Sequence, residues 1–265
     1  MKNKMIPKIG VTTQVIHESR WYKYLASLGV TTVEVNRRNS KLYFDYFFLK
    51  KIKAYTRGYD LSMHSGTRGV FHTNPSFTNA DLAILTAELD ICSLLGMRQF
   101  IFHLNSKGLT KENKNRLRDL FACAADHDIM MMYESDSYFT AGDAYDVLES
   151  FPDLKYVFDM GHLNNSSGKG LLGCEMEAFI RNVRDRVEYI HASNNYGTRD
   201  EHNSLDKGTL EWRGVLDMLD LTKVIKIIIE VRDSEMACSS QKELEQYLSD
   251  RYNAGSVQRL KVSAF

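Results

Sequence analysis

Histidine, aspartate and glutamate residues stand at the ends of six successive short apolar runs in this 265-residue chain. The six residues are His64, His103, Glu134, Asp159, His191 and Glu230. A single histidine or carboxylate in such a position is ordinarily a hydrogen-bonded or solvated boundary residue. Six in succession are different, because the C-terminal ends of parallel strands in a closed barrel converge, and carboxylates crowded there need a cation. We therefore expect a metal site.

Three further candidate ligands follow two of these runs at short spacing. His162 comes soon after Asp159, and Asp200 and His202 lie in the polar segment after His191. The complete set contains only imidazoles and carboxylates, without a cysteine thiolate. Such nitrogen and oxygen ligands suit zinc first, with manganese, iron or cobalt as alternatives.

The number of ions is left open by this set, because zinc accepts about four ligands and manganese about six. One to three divalent ions per chain are expected. In the simplest arrangement one ion is held by Glu134, Asp159, His191 and Glu230. The outer residues then position the substrate or the ligands. These outer residues are His64, His103, Asp200 and His202.

The runs that carry these residues belong to a longer series of candidate strands. They are Lys8–Thr12, Thr31–Val35, Tyr59–His64, Gln99–His103, Ile129–Glu134, Lys155–Asp159, Val187–His191 and Val224–Glu230. Stretches of helical period lie between them, so each strand is expected to be followed by a crossover helix. Eight βα repeats in about 250 residues are typical of a TIM barrel, whereas a doubly wound fold would carry a glycine-rich phosphate loop after its first strand. The sequence predicts an α/β protein in which residues 1–265 form a single (β/α)8 TIM barrel.

Two long polar segments, residues 161–173 and 192–208, each follow a strand. Both are expected to be loops on the catalytic face of the barrel.

Composition excludes several classes of protein. The 34 basic residues balance the 34 acidic residues, which argues against broad coating of nucleic acid. No apolar run approaches the roughly 20 residues of a membrane helix, and residues 224–231 are interrupted by Lys226. The segment Met1–Pro7 lacks the apolar stretch of a secretory signal, so a cytoplasmic protein is expected. The four cysteines lack a CxxC spacing, so neither a disulfide framework nor a thiolate metal site is indicated.

Taken together, these residues resemble the xylose isomerase-like TIM-barrel superfamily, which includes endonuclease IV and many sugar isomerases and epimerases. Residues 156–162 (YVFDMGH) are similar to the aspartate strand of the family, and residues 190–195 (IHASNN) to its HLND segment. Each metal ligand of endonuclease IV has a counterpart here in order and spacing. The resemblance implies one ion at His64, His103 and Glu134, a second at Glu134, Asp159, His191 and Glu230, and a third at His162, Asp200 and His202.

The chain also departs from endonuclease IV. That family has the pattern HxxYxxN at the first histidine, in a loop that helps to engage DNA, whereas residues 65–70 after His64 read SGTRGV. Residues 200–212 (DEHNSLDKGTLEW) resemble a region of members that are labelled sugar phosphate isomerase or epimerase. The same candidate ligands are therefore compatible with two chemistries.

In the hydrolytic interpretation, metal ions clamp a phosphodiester of damaged DNA, and Glu134 or Glu230 orients the attacking water. In the alternative, one ion polarises a sugar or sugar phosphate, the two glutamates move a proton between adjacent carbons, and His162 holds a substrate oxygen. A metal-binding protein without turnover is disfavoured, since no strand-end ligand has become apolar. Asp200 and His202 are not needed by a mononuclear isomerase, so hydrolysis is the primary expectation. The sequence leaves any protein partners unidentified.

Overall fold

A computed structural model describes residues 6–37, 40–66, 78–104 and 106–262, with the side chains from residue 253 onward excluded. Eight parallel strands form a closed barrel in chain order, and the last strand pairs with the first. The strands are β1 Lys8–Thr12, β2 Thr32–Asn36, β3 Asp60–His64, β4 Gln99–His103, β5 Met130–Glu134, β6 Lys155–Asp159, β7 Val187–Ala192 and β8 Lys226–Ile229. The predicted barrel is confirmed, and Glu230 lies just beyond β8 rather than within it.

Helices form the outer layer of the barrel. In the described part of the chain they are α1 Tyr46–Tyr55, α2 Asn79–Leu95, α3 Lys111–Asp126, α4 Ala141–Ser150, α5 Met160–Gly168, α6 Met176–Val183, α7 Trp212–Asp217 and α8 Ser234–Val262. None of the helices in these ranges combines the length and the apolar character that a membrane crossing would demand.

The expectation of a helix after every strand is wrong for β1. Between β1 and β2 the chain forms only short 3-10 turns, at Thr13–Val15, Trp21–Lys23 and Leu25–Leu28. Trp21 and Tyr22 are both buried here, and the indole Nε1 of Trp21 donates to the hydroxyl of Tyr43 at 2.8 Å. Because large aromatic side chains pack this segment against the outer layer, it folds as turns instead of one amphipathic helix.

The barrel interior has an apolar side on strands β4 to β8. Its buried cluster comprises Ile101, Met132, Val157, Tyr189 and Ile228. At the seam where β1 meets β8, Gly10 leaves room for its neighbours: a Cβ there would lie 2.6 Å from the Thr32 carbonyl oxygen and 2.7 Å from Ile228 Cδ1. Close packing of this kind fixes the strands that end in the candidate ligands.

The polar segment after β6 is partly helical, which corrects the prediction of a loop at residues 161–173. Helix α5 covers Met160–Gly168. Asp159 caps it by accepting from the backbone N–H of His162 at 2.7 Å. A side-chain cap thus stabilises a helix whose own residues favour it weakly. The same carboxylate therefore both starts the helix and faces the barrel mouth.

Candidate metal centre

The six strand-end residues come together at the C-terminal mouth of the barrel. Five of them are buried, with Glu134 1% exposed, His191 0% and Glu230 5%, and His103 is partly buried. Each belongs to a different strand end, so their proximity is a property of the closed barrel and not of any local motif.

Glu134 is the centre of one group of contacts. Its Oε2 accepts from His64 Nε2 at 2.9 Å and lies 3.6 Å from His103 Nε2. Its Oε1 lies 3.1 Å from His191 Nδ1 and 3.4 Å from His162 Nδ1. The donor atoms of His64, His103 and Glu134 all lie within 4.8 Å of one another, a spacing that a metal ion can bridge.

His191 is the centre of a second group. Its Nδ1 lies 3.1 Å from a carboxylate oxygen of Glu134, 3.1 Å from Glu230 Oε2 and 3.6 Å from Asp159 Oδ2. The donor atoms of Glu134, Asp159, His191 and Glu230 also lie within 4.8 Å of one another. Three carboxylates and one imidazole in this space form a set of hard and borderline ligands for a divalent cation.

The remaining predicted residues lie beside these groups. Asp200 Oδ2 is 3.5 Å from His162 Nε2 and 3.1 Å from His202 Nε2. In the described residues these three do not meet the 4.8 Å spacing that the other two sets satisfy. His202 also has a positive φ of 49°, a strained conformation for a residue other than glycine.

The imidazoles and carboxylates neutralise one another. Burial disfavours ionised Glu134, but the imidazoles of His191 and His103 outweigh this effect and hold its pKa well below the usual range. Burial likewise opposes protonation of His64, but the hydrogen bond to Glu134 and nearby carboxylates raise its pKa to about 9. In His191 the carboxylates also overcome burial and raise the pKa well above the usual range. Protons on imidazoles therefore provide, without an ion, the positive charge that the carboxylates require.

Two carboxylate oxygens of the candidate ligands nevertheless lack a hydrogen bond. Within the described residues, Asp159 Oδ2 and Asp200 Oδ1 make no hydrogen bond. A buried carboxylate oxygen without a donor is costly. An orphaned oxygen of Asp159, next to His191 and Glu230, fits the presence of a cation better than a network of protons alone.

Sequence reasoning missed a carboxylate beneath the mouth. Glu34, in the middle of β2, is 0% exposed, and its Oε2 lies 3.0 Å from His191 Nε2. The hydroxyl of Tyr189 donates to the same oxygen at 2.8 Å. The available signal was the pattern Thr-Val-Glu-Val-Asn, in which valines alternate with polar residues in a strand that a barrel buries on both faces.

Gln14 was also missed. Its amide Nε2 donates to Glu230 Oε1 from the turn that follows β1. Glu230 is thereby held from the opposite side of the seam between β8 and β1.

The loop after His64, on which the departure from endonuclease IV depends, is only partly described. Ser65 and Gly66 are held by Glu88, which accepts from Ser65 Oγ at 2.7 Å and from the Gly66 N–H at 3.0 Å. Glu88 is itself paired with Arg37 in a buried salt bridge. Residues 67–70 of that loop lie outside the described residues.

The chain matches a family described as the xylose isomerase-like TIM barrel over residues 22–250. It is 23% identical over 145 residues to the uncharacterized protein MJ1614 of Methanocaldococcus jannaschii, and the match covers 53% of this chain and 54% of that protein. The chain thus spans about half the length of this curated relative.

Solved structures resemble the chain over almost its whole length. A D-tagatose 3-epimerase-like protein has a TM-score of 0.76 and 19% identity, covering 91% of this chain and 97% of that one. The TTHB071 protein from Thermus thermophilus, soaked with ZnCl2, has a TM-score of 0.68 and 19% identity over 91% and 97%. D-psicose 3-epimerase with D-tagatose from Clostridium cellulolyticum has a TM-score of 0.69 and 16% identity over 92% and 98%. At these identities the likeness concerns the fold.

Proposed function

Because the chain belongs to the xylose isomerase-like TIM-barrel family, we propose that it is a divalent-metal-dependent epimerase or isomerase of sugars or sugar phosphates. The observation that carries the proposal is the pair Glu134 and Glu230, whose carboxylates lie within one group of donor atoms spaced by no more than 4.8 Å. Structural neighbours that are named as sugar epimerases support it. These findings favour the alternative drawn from the sequence over phosphodiester hydrolysis.

The metal would be held by Glu134, Asp159, His191 and Glu230, with zinc as the first candidate and manganese, iron or cobalt as alternatives. When bound, a divalent ion supplies Lewis-acid polarisation of substrate oxygens. The donor set fits such an ion because it contains three carboxylates, one of which has an oxygen without a hydrogen-bond donor in the described residues.

The two glutamates would move the proton. One glutamate, as the carboxylate, removes a proton from a carbon next to the sugar carbonyl. The other glutamate, as the carboxylic acid, returns a proton to the opposite face of that carbon or to the neighbouring carbon. Glu134 ends β5 and Glu230 follows β8, so the carboxylates approach from different sides of the barrel mouth. His162, whose Nδ1 faces the Ser135 carbonyl at 2.9 Å, would direct its Nε2 to a substrate oxygen.

Hydrolysis of a phosphodiester is the second candidate. It is favoured by the cluster of Asp200, His162 and His202, which a mononuclear isomerase does not need for its metal. In this function the cluster would hold a further ion and help to bind the phosphoryl oxygens of damaged DNA.

Proton exchange distinguishes the two functions. Protein loaded with zinc or manganese is incubated in D2O with a panel of aldoses, ketoses and ketose phosphates, and NMR follows new stereoisomers and deuterium at carbon. We expect at least one sugar to gain deuterium at the carbon that inverts or transfers its proton. Cleavage of an abasic-site duplex without exchange in any sugar would replace the proposal with hydrolysis.

The metal content of the Asp200→Ala variant also distinguishes the two functions. An epimerase or isomerase should retain its central ion in this variant, because Asp200 lies outside the four-residue group. A hydrolase with an additional ion should lose about one ion per chain and most of its turnover.

A further inference from the structure

Three of the imidazoles at the barrel mouth share an arrangement. His64, His162 and His202 each direct Nδ1 to a main-chain carbonyl oxygen, at 3.1, 2.9 and 2.9 Å, and Nε2 towards a carboxylate. His191 is reversed: its Nδ1 faces the group of carboxylates, and its Nε2 faces the carboxylate of Glu34 at 3.0 Å. The ring nitrogen of His191 that points away from the carboxylate group therefore has an anion as its partner and not a neutral carbonyl.

Glu34 is held in place from below. The hydroxyl of Tyr189 contacts both Glu34 Oε2, at 2.8 Å, and Ser62 Oγ, at 2.7 Å. Tyr189 and Ser62 are themselves fully buried. The carboxylate thus cannot rotate away from His191 without breaking this chain of hydrogen bonds.

Stability alone does not account for Glu34. A buried carboxylate loses its hydration, which costs several kcal/mol unless its oxygens are paired. Within the described residues Oε1 of Glu34 has no hydrogen-bond partner. A neutral side chain at this position would avoid that cost, and the charged contact that Glu34 makes here is the one to His191.

We propose that Glu34 is a positioning residue that holds His191 as the Nε2–H tautomer, with the Nδ1 lone pair directed at the metal. The proposal rests on the metal site of the proposed function. An anionic partner also makes the imidazole a stronger ligand, and loss of such a partner typically lowers metal affinity by about 10- to 100-fold. Glu34 itself belongs to neither group of candidate ligands in the described residues.

Zinc affinity, measured by competition with a chelator, tests this role in the 265-residue chain. Glu34→Gln keeps the shape of the side chain and removes its charge. We expect zinc to bind roughly 10- to 100-fold more weakly, and the visible spectrum of the Co2+-loaded protein to change because the His191 ligand is altered.

Asp60→Asn is the matched control. Asp60 begins β3 and is paired with Lys226 and Lys8, each at 2.7 Å. Its register partner on β2 is Thr32, two residues before Glu34, so the variant removes a carboxylate charge from the neighbouring strand without touching a candidate ligand. Its zinc affinity and Co2+ spectrum should match those of the wild type. Unfolding midpoints in EDTA report separately on any loss of stability.

The outcomes are separable. A wild-type protein that binds no zinc overturns the metal site itself, and this inference with it. A wild type that binds zinc, together with unchanged affinity in Glu34→Gln, overturns only the role of Glu34. If Glu34→Gln does not fold, Tyr189→Phe decides instead: it keeps the carboxylate but removes the hydroxyl that orients it, and unchanged zinc affinity contradicts the proposal.

Discussion

Raising the pH should destabilise the metal-free protein. His64 and His202 each have a pKa of about 9 instead of 6.5: burial opposes protonation in both, and it is outweighed by Glu134 for His64 and by Asp200 and Glu230 for His202. A group with a raised pKa in the folded state contributes stability that is complete below its unfolded pKa and is lost as the pH rises through the folded pKa. The loss should therefore occur between about pH 6.5 and 9.

The size of the loss follows from the same values. A pKa of about 9 in place of 6.5 corresponds to about 3 kcal/mol for His64, which is 5% exposed. His202 should contribute less, since its side chain is 20% exposed, and both rely on overlapping carboxylates, so the two contributions do not simply add. For a chain of this size about 3 kcal/mol lowers the unfolding temperature by roughly 6 to 12 °C.

Thermal unfolding in EDTA across this pH range measures the effect. Zinc requires neutral imidazoles, so stabilisation by added zinc should grow over the same range. His202→Asn should reduce the pH-dependent loss of stability in EDTA, because asparagine carries no ionisable ring. Asparagine also tolerates the positive φ of 49° at this position. His127→Asn is the control and should leave the pH-dependent loss of stability unchanged. It replaces an exposed imidazole whose Nδ1 contacts the Cys123 carbonyl. A metal-free protein whose unfolding temperature is constant or rises from pH 6.5 to 9 would refute the reasoning.

Two further expectations concern turnover and packing. Glu134→Gln and Glu230→Gln should each lower proton exchange on the sugar substrate by about 10²- to 10⁴-fold or more while the barrel still folds, and exchange that persists at unchanged metal content would contradict the proton-transfer roles. Gly10→Ala should lower the free energy of unfolding by about 1–3 kcal/mol in urea titration, because the new Cβ meets the Thr32 carbonyl at 2.6 Å. Gly214→Ala is its control: nothing lies within 4 Å of the added Cβ, and alanine favours the helix, so equal losses of stability in both variants would rule out the close contact at Gly10 as the cause.

The barrel and the residues at its mouth could be anticipated because the signal is local. Each strand is a short buried run, and a polar residue at its end is conspicuous against that background. Closure then brings His64, Glu134 and Glu230 together, even though they lie far apart in the sequence.

The features that were missed depend on contacts between distant segments. The pattern of β2 marks Glu34 as a polar residue in a buried strand, but only the closed barrel shows that it faces His191. Helix α5 depends on the cap from Asp159, and the turns after β1 depend on the packing of Trp21 against Tyr43. In each case a tertiary contact overrides a weak local preference.

The seam between β8 and β1 has a consequence for the order of folding. It pairs Val11 with Ile229, residues from opposite ends of the barrel sequence, and closing so long a loop is entropically the most demanding contact in the barrel. Glu230 lies at that seam and is held by Gln14 from its other side. An intermediate with an open seam would lack a properly placed Glu230, so capture of a metal ion during refolding should report the moment at which the barrel closes.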